Sequence, residues 1–272
     1  MEKYYITTPI YYVNDKPHIG HAYTTILADT ISRFRALIGE NPTFLTGLDE
    51  HGLKVQQAAE KNGKKPQDHC DSMAPAFIDL WKKLNINYSD FIRTTEHRHT
   101  KIVQQILTKV HESGDIYMDE YEGWYSISEE RFITEKELDS GQFGEVKQIK
   151  EKNYFFKMSK YQTTLINKIE KDELLIQPKS RKNEVLGFLK NELSDLCISR
   201  PKSRLKWGIE LPFDDNYVTY VWFDALINYI SAIGLYKDDK QFSSLWPADV
   251  HLIGKDILTT HSVYWPTMLL SL

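Results

Sequence analysis

Apolar and polar positions along the first third of the chain switch between two periods. Tyr4-Tyr5-Ile6-Thr7-Thr8 is a short aromatic and β-branched run, which predicts a buried strand. Pro9, Asn14, Asp15 and Pro17 follow as a stretch of turn formers. From His18 the apolar residues Ile19, Ala22, Ile26, Phe34 and Leu37 recur near helical spacing, predicting a helix closed by Gly39. Thr43-Phe44-Leu45-Thr46 predicts a second strand ending at Gly47. Helical patterns cover about 53–62 and 66–84, and Phe91-Ile92-Arg93 is a third strand. The stretch 96–113 places Ile102, Ile106, Leu107 and Val110 on one helical face. This alternation predicts an α/β fold over residues 1–114, with a parallel sheet covered by helices.

The texture changes near Asp115. Residues 115–215 are richer in charge and less regular, and read as an insertion. Within it, 140–152 predicts a polar loop or hairpin, and 161–171 and 184–196 predict helices. From 216 the α/β style returns: a strand over 217–222, a helix over 223–233, a strand over 250–254 and a helix opening at Asp256. The chain ends inside the apolar run Met268-Leu269-Leu270-Ser271-Leu272. That ending suggests a piece of a longer protein, with 216–272 the start of a second half of the α/β domain. No internal repeat or low-complexity tract is visible.

Composition narrows the class. At 272 residues, 41% hydrophobic and 26% charged, the chain is globular rather than disordered. The formal net charge of −4 gives no global positive field for nucleic acid, although local basic patches stay open. No apolar run approaches the roughly 20 residues of a membrane span. Two cysteines, Cys70 and Cys197, exclude a disulfide scaffold or a four-cysteine zinc site and point to the cytosol.

Candidate chemistry gathers first at Pro17-His18-Ile19-Gly20-His21, where strand, loop and helix meet. Open parallel sheets bind ligands at the carboxyl ends of their strands. A helix start offers free N–H groups and positive partial charge to a phosphate. His18 and His21 can hydrogen-bond its oxygens, and Gly20 lets a flat base approach the backbone. By itself the spacing suits two capping histidines on a surface helix equally well. Neither the dinucleotide fingerprint nor the P-loop pattern occurs. Asp49, after Gly47, suits an α-ammonium group or a helix N-cap. Gly254-Lys255-Asp256 suits ribose hydroxyls or a simple turn. Tyr12, Trp222 and Tyr229 offer aromatic edges for a thioether, with Ile10, Leu226 and Ile257 filling gaps, although each by itself suits a core better than a pocket.

The ordered set Pro9-Ile10-Tyr11-Tyr12-Val13-Asn14, His18-Ile19-Gly20-His21, Gly47-Leu48-Asp49-Glu50-His51-Gly52, Tyr220-Val221-Trp222-Phe223-Asp224-Ala225, Ile253-Gly254-Lys255-Asp256-Ile257 and His261-Ser262 resembles the methionyl-tRNA synthetases, a class I aminoacyl-tRNA synthetase family. The resemblance covers essentially the whole chain. It implies an open parallel Rossmann-type sheet interrupted by a connective domain. It also implies activation of methionine with ATP and Mg²⁺, then transfer to tRNA(Met). His18 and His21 would be catalytic. Ile10, Asn14, His18, Gly20, His21, Gly254 and Asp256 would bind nucleotide. Ile10, Tyr12, Asp49, Trp222, Ala225, Leu226, Tyr229, Ile257 and His261 would bind methionine, although the family often has Pro where Leu226 stands.

Two family features depart from this pattern. Lys157-Met158-Ser159-Lys160 looks like the family's triphosphate-binding lysine loop, but lies in the insertion and continues with Tyr161-Gln162. We read it as a decoy, the true loop and the anticodon-reading domain being expected beyond Leu272. Relatives often carry Cys-x-x-Cys zinc knuckles after a Gly-Trp-Tyr. Here Gly123-Trp124-Tyr125 continues as Ser126-Ile127-Ser128-Glu129, and His97 and His99 have no neighbouring cysteine, so no structural zinc is expected. Two alternatives stand beside the synthetase reading: another class I nucleotidyl transferase, and a non-catalytic fragment that binds methionine or the tRNA acceptor. Oligomeric state is not legible.

Overall fold

A computed structural model describes residues 2–126, 131–133, 138–139, 141 and 144–272. Five strands form the central sheet: β1 (Lys3–Thr7), β2 (Tyr11–Tyr12), β3 (Asn41–Asp49), β4 (Asp90–Arg93) and β12 (Val250–His251). All its pairings are parallel. Leu45 pairs with Thr7 on one edge and Asp90 on the other, and Leu48 pairs with Tyr11 and Arg93. So β1 and β2 are one broken strand on the same edge of β3, interrupted at 8–10. Pro9 lies in that break, and proline cannot donate to a ladder.

Side chains of β1 alternate between two buried faces. Tyr5 joins the large core with Leu45, Ile92 and helix α4 (His97–Glu112). Tyr4 and Ile6 face the other way, with Phe44 and with Ala28 of α1 (Ile19–Leu37). A further core places Leu48 against Val55 of α2 (Leu53–Lys61) and Cys70, Phe77 and Trp81 of α3 (Pro66–Lys83).

Helix α1 forms where the spacing predicts it and ends just before Gly39. The apolar stripe that announced it points outward: Ile19, Ile26, Phe34 and Leu37 are exposed. The buried face is Thr25, Ala28, Asp29 and Ser32. Small side chains let the helix lie close to the sheet, with Ile31 packed beside them, while Ile19, Ile26, Phe34 and Leu37 are left uncovered among the described residues.

Among the described residues of 116–219, two antiparallel sheets form. Strands β5 (Ile116–Ser126), β6 (Arg131–Ile133), β7 (Val146–Phe156) and β8 (Leu196–Cys197) lie in the order β6-β5-β7-β8. The hairpin expected over 140–152 is a long strand from Val146, paired with β5 over its whole length; residues 140, 142 and 143 lie outside the described residues. Helix α5 (Gln162–Glu170) matches expectation, but α6 spans Lys179–Phe188, earlier than its periodicity suggests. Its first turn carries no apolar residue, so the 3.6-residue signal starts late.

The strand expected over 217–222 is instead β11 (Asp214–Thr219), antiparallel to β9 (Ser199–Pro201) and β10 (Glu210–Leu211). Its polar start, Asp214-Asp215-Asn216, suits an antiparallel strand with one wet face. Val221 and Trp222 begin a helical turn, Val221–Ala225. The single helix expected over 223–233 is broken, with a second turn at Asn228–Ser231. Asn228 Nδ2 donates to the Ala225 carbonyl at 2.7 Å, satisfying one of the acceptors freed by the break.

Candidate active site

Because the central strands run parallel, their carboxyl ends share one edge of the sheet. The loop 13–18 follows β2, Asp49 ends β3, and Gly254 and Asp256 follow β12. Three stretches far apart in sequence are thereby collected at one rim, as the fold class leads one to expect.

His18 caps α1. The Gly20 N–H donates to His18 Nδ1 at 3.1 Å, and the His18 N–H donates to His21 Nδ1 at 3.3 Å. A backbone N–H only donates, so each Nδ1 is an acceptor and each neutral ring carries its proton on Nε2. The rings stack with centroids 3.7 Å apart. Burial, and then the neighbouring His18, push the His21 pKa down to about 4. The site therefore offers two neutral Nε2–H donors at a positive helix end. Gly20 makes this possible: a Cβ there would meet the His18 ring at 3.0 Å. The capping reading and the ligand reading are thus compatible, since the caps leave the Nε2 atoms uncommitted to the helix.

Asp49 is buried and lies abreast of Tyr12 in the β2–β3 register. It does not cap α2, whose N-cap is Gly52 with no side-chain bond. Its negative charge raises the pKa of Tyr229, after the larger effect of burial. Tyr229 closes the neighbouring wall. Its hydroxyl donates to His261 Nε2 at 2.7 Å, and His261 Nδ1 donates to the Ile257 carbonyl at 3.0 Å. Burial lowers His261 to about 4, although the Ile257 carbonyl opposes the shift. Tyr229 also packs on His251 at 4.4 Å and on Trp265 at 5.7 Å between ring centroids. His261 sits in a π-helical turn, Thr260–Tyr264, a local widening common at functional sites.

The other expected residues divide. Ala225 and Leu226 are buried, Leu226 in the large core, and Ile10 packs half-buried against that core. Trp222 and Ile257 are half-buried, while Asn14, Gly254 and Asp256 are exposed at the rim. Asp256 pairs with Lys255 at 2.5 Å, and the lysine lowers its pKa. Among the described residues no hydrogen bond joins this rim to the two histidines of α1.

The lysine-rich Lys157–Lys160 is engaged inside the insertion. Lys160 Nζ lies 2.7 and 2.8 Å from the two carboxylate oxygens of Asp115. Ser159 donates from both N and Oγ to Asp195, and Met158 is buried. Ser126 ends β5, whereas 127–129 lie outside the described residues. Arg200 is not among the residues that the sequence motifs single out. It is buried, its guanidinium 4.5 Å from the Tyr220 ring centroid, and it lines a small cavity with Gly52 and Leu53. The available signal was a lone arginine after the mostly apolar Leu196-Cys197-Ile198-Ser199.

The family model for class I tRNA synthetases (M) matches residues 4–142 and 139–272. The methionine–tRNA ligase of Clostridium tetani is 51% identical over 99% of this chain and 43% of its own length. That of Halalkalibacterium halodurans is 48% identical over 99% and 43%. The Mycobacterium tuberculosis methionyl-tRNA synthetase in complex with methionyl-adenylate superposes with a TM-score of 0.94 at 41% identity, over 100% of this chain and 55% of that one. Its free-state form gives 0.82 at 38% identity, over 100% and 53%. The chain thus spans less than half the length of these curated relatives. With a family model matched over nearly the whole chain and relatives about 50% identical over 99% of it, the chain belongs to the class I tRNA synthetases of the methionyl type.

Proposed function

We propose that this chain carries the methionine- and nucleotide-binding site of a methionine–tRNA ligase. One observation carries the reading: the loop leading to His18 and His21 and the strand end at Asp49 lie at the same carboxyl edge of the sheet, and Asp49 is close enough to Tyr229 of the Tyr229–His261 pair to act on its charge. In the reaction, a methionine carboxylate oxygen attacks the α-phosphorus of ATP, pyrophosphate leaves, and methionyl-adenylate forms. The methionyl group then passes to the 3′ adenosine of tRNA(Met). Catalysis here is positioning and charge stabilisation.

His18 and His21 donate their Nε2–H groups to phosphate oxygens without adding positive charge of their own. Gly20, Ile10 and Asn14 line the nucleotide, and Gly254 and Asp256 receive the ribose. Asp49 takes the ammonium group. Tyr12, Trp222, Ala225, Leu226, Tyr229, Ile257 and His261 enclose the side chain, where a thioether packs well on aromatic edges. Mg²⁺ arrives with ATP, held mainly by its phosphates. Residues 1–114 and 216–272 are read as parts of the nucleotide fold, 115–215 as the connective domain, and the protein as cytosolic. No structural zinc is assigned, on the strength of Ser126, Ser128 and Glu129 where thiolates would stand.

ATP–pyrophosphate exchange with each amino acid tests the reaction, and calorimetry with methionine against leucine tests the site. Asp49→Ala should abolish methionine binding in a folded chain, since charge-assisted hydrogen bonds contribute about 1.5–3 kcal/mol each. Methionine binding without exchange would favour the non-catalytic fragment. Exchange with another substrate would favour a different nucleotidyl transferase. One zinc per chain by elemental analysis would overturn the metal assignment.

A further inference from the structure

A buried charge network stands behind the methionine side of the site, and the reaction above leaves it unused. Asp224 has no exposed surface. Its Oδ2 lies 2.6 Å from His51 Nδ1 and its Oδ1 lies 2.7 Å from His99 Nε2. His99 is itself fully buried, with Nδ1 2.8 Å from Ser231 Oγ. An ionised carboxylate only accepts, so both imidazoles donate to it. Burial alone would raise the Asp224 pKa, but the charge and hydrogen bond of His51, followed by His99, bring it down to about 2. The carboxylate therefore stays ionised, one oxygen on each ring.

The partners come from three separate stretches. His51 follows β3, two residues after Asp49. His99 lies in the first turn of α4. Asp224 and Ser231 lie on the two short turns that also carry Trp222, Ala225 and Tyr229. His51 is held from its far side as well. Its ring is 5.4 Å from that of Trp207, and Trp207 Nε1 donates to the carbonyl of Glu50, between Asp49 and His51.

A buried carboxylate held between two imidazoles is a poor source of net stability, because packed apolar groups of similar volume serve as well. What it supplies is geometry: two oxygens on two rings fix both the position and the rotation of the turn, whereas apolar contacts allow it to slide. We propose that Asp224, through His51 and His99, is a positioning residue for methionine, holding the turn of Trp222 and Ala225 against the segment of Asp49 and so setting the width of the pocket. It touches no substrate. The inference rests on the reading of Asp49, Trp222 and Ala225 as methionine-binding residues.

Methionine and ATP are titrated calorimetrically into the parent chain, Asp224→Asn, His51→Ala and His51→Asn. Asp224→Asn keeps the volume and turns one acceptor into a donor. We expect its methionine Kd to rise at least tenfold, with ATP affinity within twofold and binding stoichiometry unchanged. His51→Ala should do the same. His51→Asn, whose amide N–H can stand where Nδ1–H was, should restore affinity to within threefold of the parent. A network that only stabilises the fold would lower the stoichiometry and leave the methionine Kd of the folded fraction unmoved; that result, or an unmoved Kd at full stoichiometry, overturns the proposal. If Asp224→Asn does not fold, the two His51 variants decide alone, and equal affinity in both overturns it. A parent that binds ATP and no methionine overturns the methionine site, and this inference with it.

Discussion

Replacing Tyr229 with Phe removes one oxygen from the buried wall of the pocket and leaves the ring in place. The direction of the lost bond is known. Ile257 offers His261 Nδ1 a carbonyl at 3.0 Å, which can only accept, so the ring proton is on Nδ1 and Nε2 receives the Tyr229 hydroxyl at 2.7 Å. Tyr229 is 1% exposed and His261 8%, so bulk water does not replace the hydroxyl. Leaving a buried acceptor unsatisfied costs about 1–3 kcal/mol. Contacts with His251 and Trp265 persist, and Tyr229 still accepts from the Tyr5 hydroxyl through its own carbonyl at 2.7 Å. The loss is therefore the hydrogen bond and little else. For a chain of this size each kcal/mol moves Tm by about 2–4 °C, so the variant should melt roughly 2–12 °C lower. Urea unfolding at pH 7.5 measures the same loss isothermally. Methionine affinity should also fall, because His261 loses one of the two hydrogen bonds that fix its ring. A Tm within about 1 °C of the parent, with methionine affinity unchanged, would refute the assigned bond and the dryness of the wall.

Gly47→Ala should be among the most damaging single changes: a Cβ there would stand 2.0 Å from the Ile92 carbonyl oxygen and 2.7 Å from its Cγ2, so β3 and β4 must part, at about 3 kcal/mol or more; a neutral urea midpoint would contradict the packing. Acid should destabilise the chain from about pH 6.5 downward. Burial holds His261 near 4 and His251 near 3, both below the ordinary 6.5, so their contribution is complete above that value and is lost as pH falls through the folded pKa. For His261 this amounts to about 3 kcal/mol, and a urea midpoint flat between pH 7.5 and 4.5 would refute it. Lys157→Ala with Lys160→Ala should leave ATP affinity unchanged and weaken tRNA binding, with a shallower salt dependence. A large loss of ATP affinity in a folded variant would make this the true triphosphate loop.

Local patterns carried much of the fold into view. Tyr4–Thr8, Thr43–Thr46 and Phe91–Arg93 read as strands and are found as β1, β3 and β4; β1 and the second half of β3 are buried on both faces, and such strands write themselves as short apolar runs. The helices to either side were legible from spacing and from turn residues such as Gly39, which has φ of +92° just past the end of α1. The motif order was legible too, since it lies in the chain itself.

What a face packs against is not a local property, and there the sequence alone was silent. The apolar spacing of α1 announces a helix but not its buried face: Thr25, Ala28 and Ser32 are buried while Phe34 and Leu37 are exposed. Periodicity reports that a helix has two unlike faces; close approach to a sheet selects the smaller residues, and only the packed fold shows which face was taken. The break between Ala225 and Asn228 and the π-turn around His261 also escaped, because each depends on a long-range partner that satisfies the altered backbone or aims the side chain. Asp224 is the sharpest case. In Val221-Trp222-Phe223-Asp224-Ala225 it is one carboxylate in an apolar run, and local rules say only that such a charge needs partners. Those partners, His51 and His99, lie 173 and 125 residues away, and nothing short of the folded chain could have named them.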